Sequence, residues 1–226
     1  MKTAICLSGT GRSIKYTIEN LTDNVLTCFN NCDIILYLTE SDIVDSVLKH
    51  FSHIDNIYVH IEKEDPIDIS NMQFFSNWPP SIPNNLQKGR QIFVQMLKSR
   101  LKLRDLMLNQ GSYDRVVFSR IDVVYQEPLS ISIGSLDLDD DTIYVPNFHN
   151  WLGGINDRFA VSTQAGMSKY LSLYENLSLY VNQGHLLQAE NTLKHHLAHE
   201  GLDVKHHNVR FSRIRNGKQH DSFNEA

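Results

Sequence analysis

Arg120 and Asp122 are the two residues whose types and spacing point most directly to chemistry. They follow an apolar run, residues 116–118, with a single residue between them. In an extended chain the side chains of residues i and i+2 share one face, and the carboxyl end of a buried strand borders the crevice where open α/β sheets bind ligands. There Asp122 could hold a hard cation such as Mg²⁺ or Mn²⁺, while Arg120 could bind anionic oxygens. A structural ion pair between the two is the alternative.

A second candidate for binding an anion is the segment Ser8-Gly9-Thr10-Gly11-Arg12, which ends the first apolar run. The two glycines would let the backbone approach a ligand closely, and an arginine suits an anionic ligand. The third glycine of a dinucleotide-binding fingerprint is absent from its expected place. A plain tight turn is the alternative interpretation.

The elements that must position these residues alternate between strand and helix patterns. Uninterrupted apolar runs predict strands buried on both faces, and amphipathic repeats predict helices that pack on them. The predicted strands are 3–8, 33–39, 56–61, 115–124, 142–146, 159–161 and 204–211, and the longer predicted helices run from Leu86 to Leu108 and from Ala189 to His199. Since there is no internal repeat and no clear linker, we expect one α/β domain over residues 1–226, with a mixed, mainly parallel sheet flanked by helices.

Composition and charge exclude several classes of protein. The 226 residues are 41% hydrophobic and 21% charged, which is typical of a globular protein. No apolar run approaches the roughly 20 residues of a membrane helix, and no signal peptide is visible. The formal net charge of −5 argues against nucleic-acid binding, and three cysteines suit a reducing cytoplasm.

The segment from Lys194 onwards is basic, and seven of the eleven histidines lie after position 184. Its later cationic residues are Lys205, Arg210, Arg213, Arg215 and Lys218. One interpretation is a solvated basic face. The other is a rim that binds a phosphate or the acidic surface of a membrane, in which case the protein would sit peripherally at the inner face of that membrane.

The motifs resemble those of the GT-A glycosyltransferases, and more narrowly those of small bacterial and viral members that modify surface polysaccharides or glycoproteins. The resemblance rests on Ser8-Gly9-Thr10-Gly11-Arg12, on Arg120-Ile121-Asp122 in place of Asp-x-Asp, and on Gly153-Gly154-Ile155-Asn156-Asp157-Arg158-Phe159. These motifs occur in the family's order and span essentially the whole chain. The resemblance implies a GT-A-like, Rossmann-like domain, with a nucleotide-binding half at about 1–125 and an acceptor and catalytic half at about 126–226.

The resemblance also implies a nucleotide site and a metal site. Ser8, Gly9, Gly11 and Arg12 match the turn that contacts the nucleotide, and Arg120 stands where relatives carry the first aspartate. Asp122 matches the aspartate that binds Mn²⁺ or Mg²⁺. His206 and His207 match the C-terminal histidine that completes the metal site, although neighbouring strand residues face opposite ways and only one of the two can be a ligand.

The donor sugar and the catalytic base are implied in the second half of the chain. Gly153, Gly154 and Asn156 match a loop that closes over the sugar, and Trp151 could stack on a sugar ring. Glu190 matches the general base of inverting members, with Asp157 as the second candidate. A glutamate in a first helical turn is also stabilised as the anion by the helix N-terminus, so we expect it to be ionised at neutral pH.

The expected activity is therefore the transfer of a sugar from a nucleoside-diphosphate sugar to a glycan, glycolipid or glycoprotein acceptor, with inversion, in the synthesis of surface polysaccharides or glycoproteins. A nucleotidyltransferase is the alternative enzyme, although its longer lysine-rich first loop is absent. A non-catalytic module that binds nucleotide or carbohydrate is the alternative outside enzymes. A zinc hydrolase is disfavoured, because Leu197 and Ala198, which lie between His195 and His199, offer no base.

Overall fold

The computed structural model describes residues 1–39, 48, 49, 51, 56–63, 67–74, 86–215 and 217–220. Its strands are β1 (Thr3–Thr10), β2 (Cys32–Thr39), β3 (Ile57–Glu62), β4 (Arg115–Arg120), β5 (Val123–Tyr125), β6 (Thr142–Pro146), β7 (Phe159–Ser162), β8 (Asp203–His207), β9 (Phe211–Arg215) and β10 (Lys218–His220). Its α-helices are α1 (Ile14–Asn24), α2 (Leu86–Gln110), α3 (Leu129–Ile133), α4 (Gln164–Leu171), α5 (Leu173–Asn182) and α6 (Ala189–His199).

Within the described residues, the main sheet has seven strands in the order β3-β2-β1-β4-β7-β6-β8. β7 runs antiparallel to β4 and β6, and all the other neighbouring pairs are parallel. A smaller antiparallel sheet has the order β10-β9-β5. The predicted fold class, a mixed and mainly parallel sheet flanked by helices, is confirmed.

Both faces of the main sheet are covered, as the continuous apolar sequences of its central strands require. Alternate residues of a strand point to opposite faces, so in β1 Ala4 and Cys6 enter one core while Ile5 and Leu7 enter the other. Helices α2, α4, α5 and α6 pack on the first face, and α1 and α3 pack on the second. No helix in the described part of the chain is long and apolar enough to cross a membrane.

Two predicted strands are wrong in one respect, because each is divided between the two sheets. The predicted strand 115–124 leaves the main sheet at Ile121, whose N–H donates to the Ser8 carbonyl at 3.1 Å and whose carbonyl accepts from Thr17 Oγ1 at 2.6 Å. The predicted strand 204–211 ends at His207 in the main sheet, and Phe211 begins β9 in the small sheet. An apolar pattern reports burial, and it does not report which of two sheets a residue joins.

This division places the small sheet beside the carboxyl edge of the main sheet. β1 and β4 are parallel neighbours with Ser8 opposite Arg120, and β5 follows β4 after only two residues. β5 in turn pairs with β9. The ends of β1 and β4, the start of β7 and the strand β9 therefore converge on one region.

Candidate functional site

Arg120 and Asp122 form a bidentate ion pair at the carboxyl end of β4. Arg120 donates from Nε to Asp122 Oδ1 at 2.8 Å and from Nη2 to Oδ2 at 2.6 Å. Burial lowers the pKa of Arg120, but the Coulomb attraction of Asp122 outweighs it and raises that pKa above its usual range. Burial likewise raises the pKa of Asp122, and Arg120 more than reverses the effect. Both groups are charged at neutral pH. Their side chains meet as the sequence predicted, although Asp122 lies in the turn after β4 and not in an extended strand.

Arg213 and Arg215 on β9 lie within electrostatic reach of Asp122. Both guanidinium charges contribute to the lowered pKa of that carboxylate. The pairing of β5 with β9 sets Arg213 opposite Val123, and the Ile214 N–H donates to the Asp122 carbonyl at 2.7 Å. Sequence patterns assigned these arginines only to a basic segment, because their closeness to Asp122 arises from the strand pairing.

Arg100, from the middle of α2, is a site residue that the sequence interpretation missed. Its Nη2 donates to the Asp157 carbonyl at 2.7 Å and to Asp157 Oδ2 at 2.8 Å. Arg100 is only 2% exposed, so this helix carries a buried cation into the site. Burial raises the pKa of Asp157, and the Coulomb effects of Arg100, Arg120 and Arg158 together hold it below its usual range.

The low pKa of Asp157 makes it a poor proton acceptor near neutral pH. Its Oδ2 also already accepts a hydrogen bond from Arg100 at 2.8 Å. The structure therefore favours Asp157 as a fixed negative charge of the site.

Asn156 shapes the predicted sugar loop from inside. Its side chain donates to the Phe148 carbonyl at 2.9 Å and accepts from the Arg158 N–H at 3.0 Å. With its amide buried and satisfied in this way, Asn156 holds the loop rather than facing a ligand, which corrects the predicted contact with a sugar. Trp151 differs, since 48% of it is exposed and its ring lies 5.3 Å from that of His149.

Gly154 brings this loop against the N-terminus of α6. A Cβ at Gly154 would lie 2.4 Å from the backbone C of Glu190 and 2.6 Å from the Asn191 N, so only glycine fits there without movement. The next residue, Ile155, donates its N–H to the Glu190 carbonyl at 3.0 Å. Beside it, the Gly153 carbonyl accepts from Lys194 Nζ at 2.8 Å. The glycine loop and the start of the Glu190 helix, which lie more than 30 residues apart in the sequence, are therefore in direct contact.

Glu190 is 8% exposed in the first turn of α6. Gln188, the residue before the helix, caps it by accepting from the Asn191 N–H at 2.8 Å, and the Gln188 amide donates to Glu190 Oε2. Burial, followed by the Coulomb repulsion of Asp157, raises the pKa of Glu190 to about 7. The expectation of a fully ionised glutamate at neutral pH is therefore wrong, because burial outweighs the favourable helix N-terminus.

The predicted nucleotide turn lies at the end of β1, next to the Arg120 pair. Ser8 is buried and lies opposite Arg120 in the sheet. Gly9 adopts a φ of 154°, and a Cβ at this position would lie only 2.6 Å from Ile121 Cγ1. Gly11 begins a short 3₁₀ turn that leads into α1. The side chain of Arg12 lies outside the described residues.

The predicted metal ligands are not brought together. His206 contacts the Pro146 carbonyl through Nδ1 at 3.2 Å, and His207 contacts the Ser132 carbonyl through Nε2. Both oxygens of Asp122 already accept from Arg120. Across the ranges that the structure describes, no three His, Cys, Asp or Glu side chains are grouped so as to hold a metal ion. Mn²⁺ and Mg²⁺ need several convergent oxygen or nitrogen ligands, so this donor set does not fit such an ion.

The described side chains of the site carry more positive than negative charge. The five arginines are Arg100, Arg120, Arg158, Arg213 and Arg215, and the three acidic groups are Asp122, Asp157 and Glu190. A surplus of this kind in a chain of net charge −5 suits an anionic ligand. Glu190, with a pKa near neutrality, can exchange a proton beside that ligand.

Comparison with protein families matches residues 1–221 to a domain of unknown function, DUF7796. The chain belongs to the DUF7796 family. No curated protein sequence matches this DUF7796 chain.

Solved structures resemble the DUF7796 chain at low sequence identity. The apo-form glycosyltransferase GlyE of Streptococcus pneumoniae TIGR4 has a TM-score of 0.54 and 13% identity, and the match covers 91% of this chain and 45% of GlyE. The galactosyltransferase LgtC, solved in complex with donor and acceptor sugar analogues, has a TM-score of 0.56 and 12% identity, with coverages of 89% and 72%. An active-site mutant of LgtC gives the same TM-score at 10% identity.

At these identities the likeness shows the fold alone, which is GT-A-like in this DUF7796 chain. The chain spans less than half the length of GlyE.

Proposed function

We propose that this protein transfers a sugar from a nucleoside-diphosphate sugar to a hydroxyl group of a glycan, glycolipid or glycoprotein, with inversion at the anomeric carbon. The observation that carries the proposal is the position of Glu190. This buried carboxyl, with a pKa of about 7, lies at the same sheet edge as a cluster of arginines. A proton acceptor beside an anion site is the combination that glycosyl transfer from a diphosphate requires.

Each part of the cluster has a role in the proposed reaction. Glu190 accepts the proton of the acceptor hydroxyl as its oxygen attacks the anomeric carbon, and the bond from that carbon to the diphosphate breaks. The leaving nucleoside diphosphate gains negative charge, which Arg120 is placed to stabilise. Asp157, fixed by Arg100, is a positioning residue that keeps the neighbouring arginines oriented and raises the pKa of Glu190.

A pKa near the working pH favours this role for Glu190. At neutral pH a substantial fraction is the carboxylate, and the conjugate acid can return the proton to solvent after transfer. The exposed Trp151 lies three residues before Gly154, which packs against Glu190, so its indole is available to stack on a sugar ring.

The proposal includes an acceptor class and a location. The resemblance of the motifs to small enzymes that modify surface polysaccharides or glycoproteins supports an acceptor of that kind. The free thiols of Cys6, Cys28 and Cys32 support a reducing, cytoplasmic setting. The exposed Lys205 and Lys218 are available for a peripheral contact with the inner face of a membrane.

The test is turnover of UDP-, GDP- and dTDP-sugars, measured as release of nucleoside diphosphate and as labelled sugar on a panel of glycan acceptors. We expect one donor class to react, and Glu190→Gln to abolish most of the turnover. Glu175→Gln is the matched control, since Glu175 is an α5 carboxylate paired with Arg104 away from the site. Release of pyrophosphate from a nucleoside triphosphate and a sugar phosphate would indicate a nucleotidyltransferase instead. Binding of a nucleotide sugar without turnover would indicate a non-catalytic module.

A further inference from the structure

We infer that arginine side chains alone hold the donor diphosphate, without a divalent cation, and that Arg213 and Arg215 complete the site around Arg120. The inference rests on the proposed function, since it concerns how the nucleoside-diphosphate sugar is bound. It differs from what the resemblance to metal-dependent relatives implies, and it gives the small sheet a role in donor binding.

The first observation is that both carboxylate oxygens of Asp122 already accept hydrogen bonds from Arg120. These charge-assisted hydrogen bonds are 2.8 and 2.6 Å long. A bidentate pair of this kind is among the strongest hydrogen-bonded arrangements in proteins. To ligate a cation, Asp122 would have to break its hydrogen bonds with Arg120, and other side chains would have to supply the remaining ligands. The predicted ligands His206 and His207 instead contact the carbonyl groups of Pro146 and Ser132.

The second observation is the placement of β9. Its pairing with β5 anchors Arg213 opposite Val123, and the Ile214 N–H binds the Asp122 carbonyl at 2.7 Å. Arg213 and Arg215 are two residues apart on a strand, so they lie on one face of the small sheet. Both lower the pKa of Asp122, which places their charges within electrostatic reach of the carboxylate that Arg120 holds.

The third observation is the type of charge at this edge of the sheet. Arg120, Arg213 and Arg215 all act electrostatically on Asp122. A sugar nucleotide carries one negative charge on each of its two phosphates, which guanidinium groups are suited to bind. Arginine is permanently charged and can bind phosphate oxygens in a bidentate manner, so it can neutralise a diphosphate without a metal ion.

The step that a cation would otherwise support is the departure of the nucleoside diphosphate. As the bond from the anomeric carbon to oxygen breaks, the electron pair stays with the phosphate oxygen. Fixed guanidinium groups stabilise that developing charge without rearranging at the moment of reaction. Arg120, Arg213 and Arg215 are the residues to which we assign this stabilisation.

Calorimetric titration of the full chain with UDP, GDP and dTDP tests the inference, first in EDTA and then in Mn²⁺ or Mg²⁺. We expect one nucleotide to bind with a dissociation constant that differs by less than about twofold between the two conditions. Binding that requires Mn²⁺ or Mg²⁺ would overturn the inference and leave the proposed function standing. Absence of binding by every nucleotide in both conditions would overturn both.

Variants of the two strand arginines provide the second arm. Arg213→Gln and Arg215→Gln should each weaken nucleotide binding by about tenfold or more, as expected for loss of a charge-assisted hydrogen bond. Arg213→Lys, which keeps the charge, should recover part of the affinity. Lys169→Gln is the matched control, because Lys169 pairs with Asp141 before β6, at the opposite edge of the sheet.

Arg215 is exposed at the end of β9, so its variant should fold even if the more enclosed Arg213 variant does not. Circular dichroism and thermal melting check this for each protein. Wild-type affinity in a folded Arg215→Gln variant would remove Arg215 from the site, and wild-type affinity in both variants would overturn the assignment of β9.

Discussion

Replacing Glu190 with glutamine should make the protein more stable and nearly inactive. The rise of the Glu190 pKa from 4.5 to about 7 corresponds to about 3 kcal/mol, since each pKa unit is worth about 1.4 kcal/mol. The folded state binds the Glu190 proton more tightly than the unfolded state. Glu190 therefore contributes stability that is fully present below pH 4.5 and is lost as the pH rises through about 7.

Glutamine keeps the shape of the protonated carboxyl and has no proton to lose. Near pH 4, Glu190→Gln and wild type should therefore unfold with similar free energies. At pH 8 the variant should be more stable by up to about 3 kcal/mol, because the wild type then buries a charge beside Asp157. Urea denaturation followed by circular dichroism at several pH values measures this difference, and other titrating groups cancel in the comparison.

Activity should change in the opposite direction. In the wild type, kcat/KM should rise with pH through an apparent pKa near 7, because only the carboxylate can accept the acceptor's proton. The variant should lose this rise, and its kcat should fall by roughly 10²–10⁴-fold with little change in donor affinity.

Glu175→Gln is again the control. It removes a carboxylate whose pKa a hydrogen bond from Arg104 holds below the usual range, so it should not stabilise the protein at pH 8. Near-wild-type kcat in Glu190→Gln, together with no gain in stability at pH 8, would refute the reasoning. Glu190 would then be an ordinary residue of a helix start.

Three further substitutions test the surroundings of Glu190. Arg100→Leu should destabilise the protein by about 3–5 kcal/mol in urea unfolding, because it leaves the Asp157 charge buried without its partner; a loss under about 1 kcal/mol would contradict that. Gly154→Ala should cost about 1–3 kcal/mol and lower kcat, since its Cβ would lie 2.4 Å from the Glu190 backbone; unchanged kinetics would show that the loop adapts freely. His206→Ala should leave nucleotide affinity and the response to Mn²⁺ unchanged in titration, and a clear loss would restore this histidine as a ligand.

Much of the fold could be predicted because hydrophobic periodicity is a local property of a sequence. The central strands and the helix at Ala189–His199 appear where the apolar patterns placed them. The points at which 115–124 and 204–211 change sheets could not be predicted. The turn at Ile121 depends on bonds to Ser8 and Thr17, which lie more than 100 residues away. That residues 1–226 form one domain stays a prediction.

The sequence by itself determined that Arg120 and Asp122 lie close together at the end of a strand and that Glu190 begins a helix. Short spacing along the chain and helix signals both depend on nearby residues. Only the tertiary structure decided the partners of these groups. Arg100 reaches Asp157 from a helix 57 residues earlier, and β9 carries its arginines to Asp122. The tertiary structure also decided the charge state of Glu190. Its pKa depends on burial and on Asp157, and the residues next to Glu190 in the sequence determine neither.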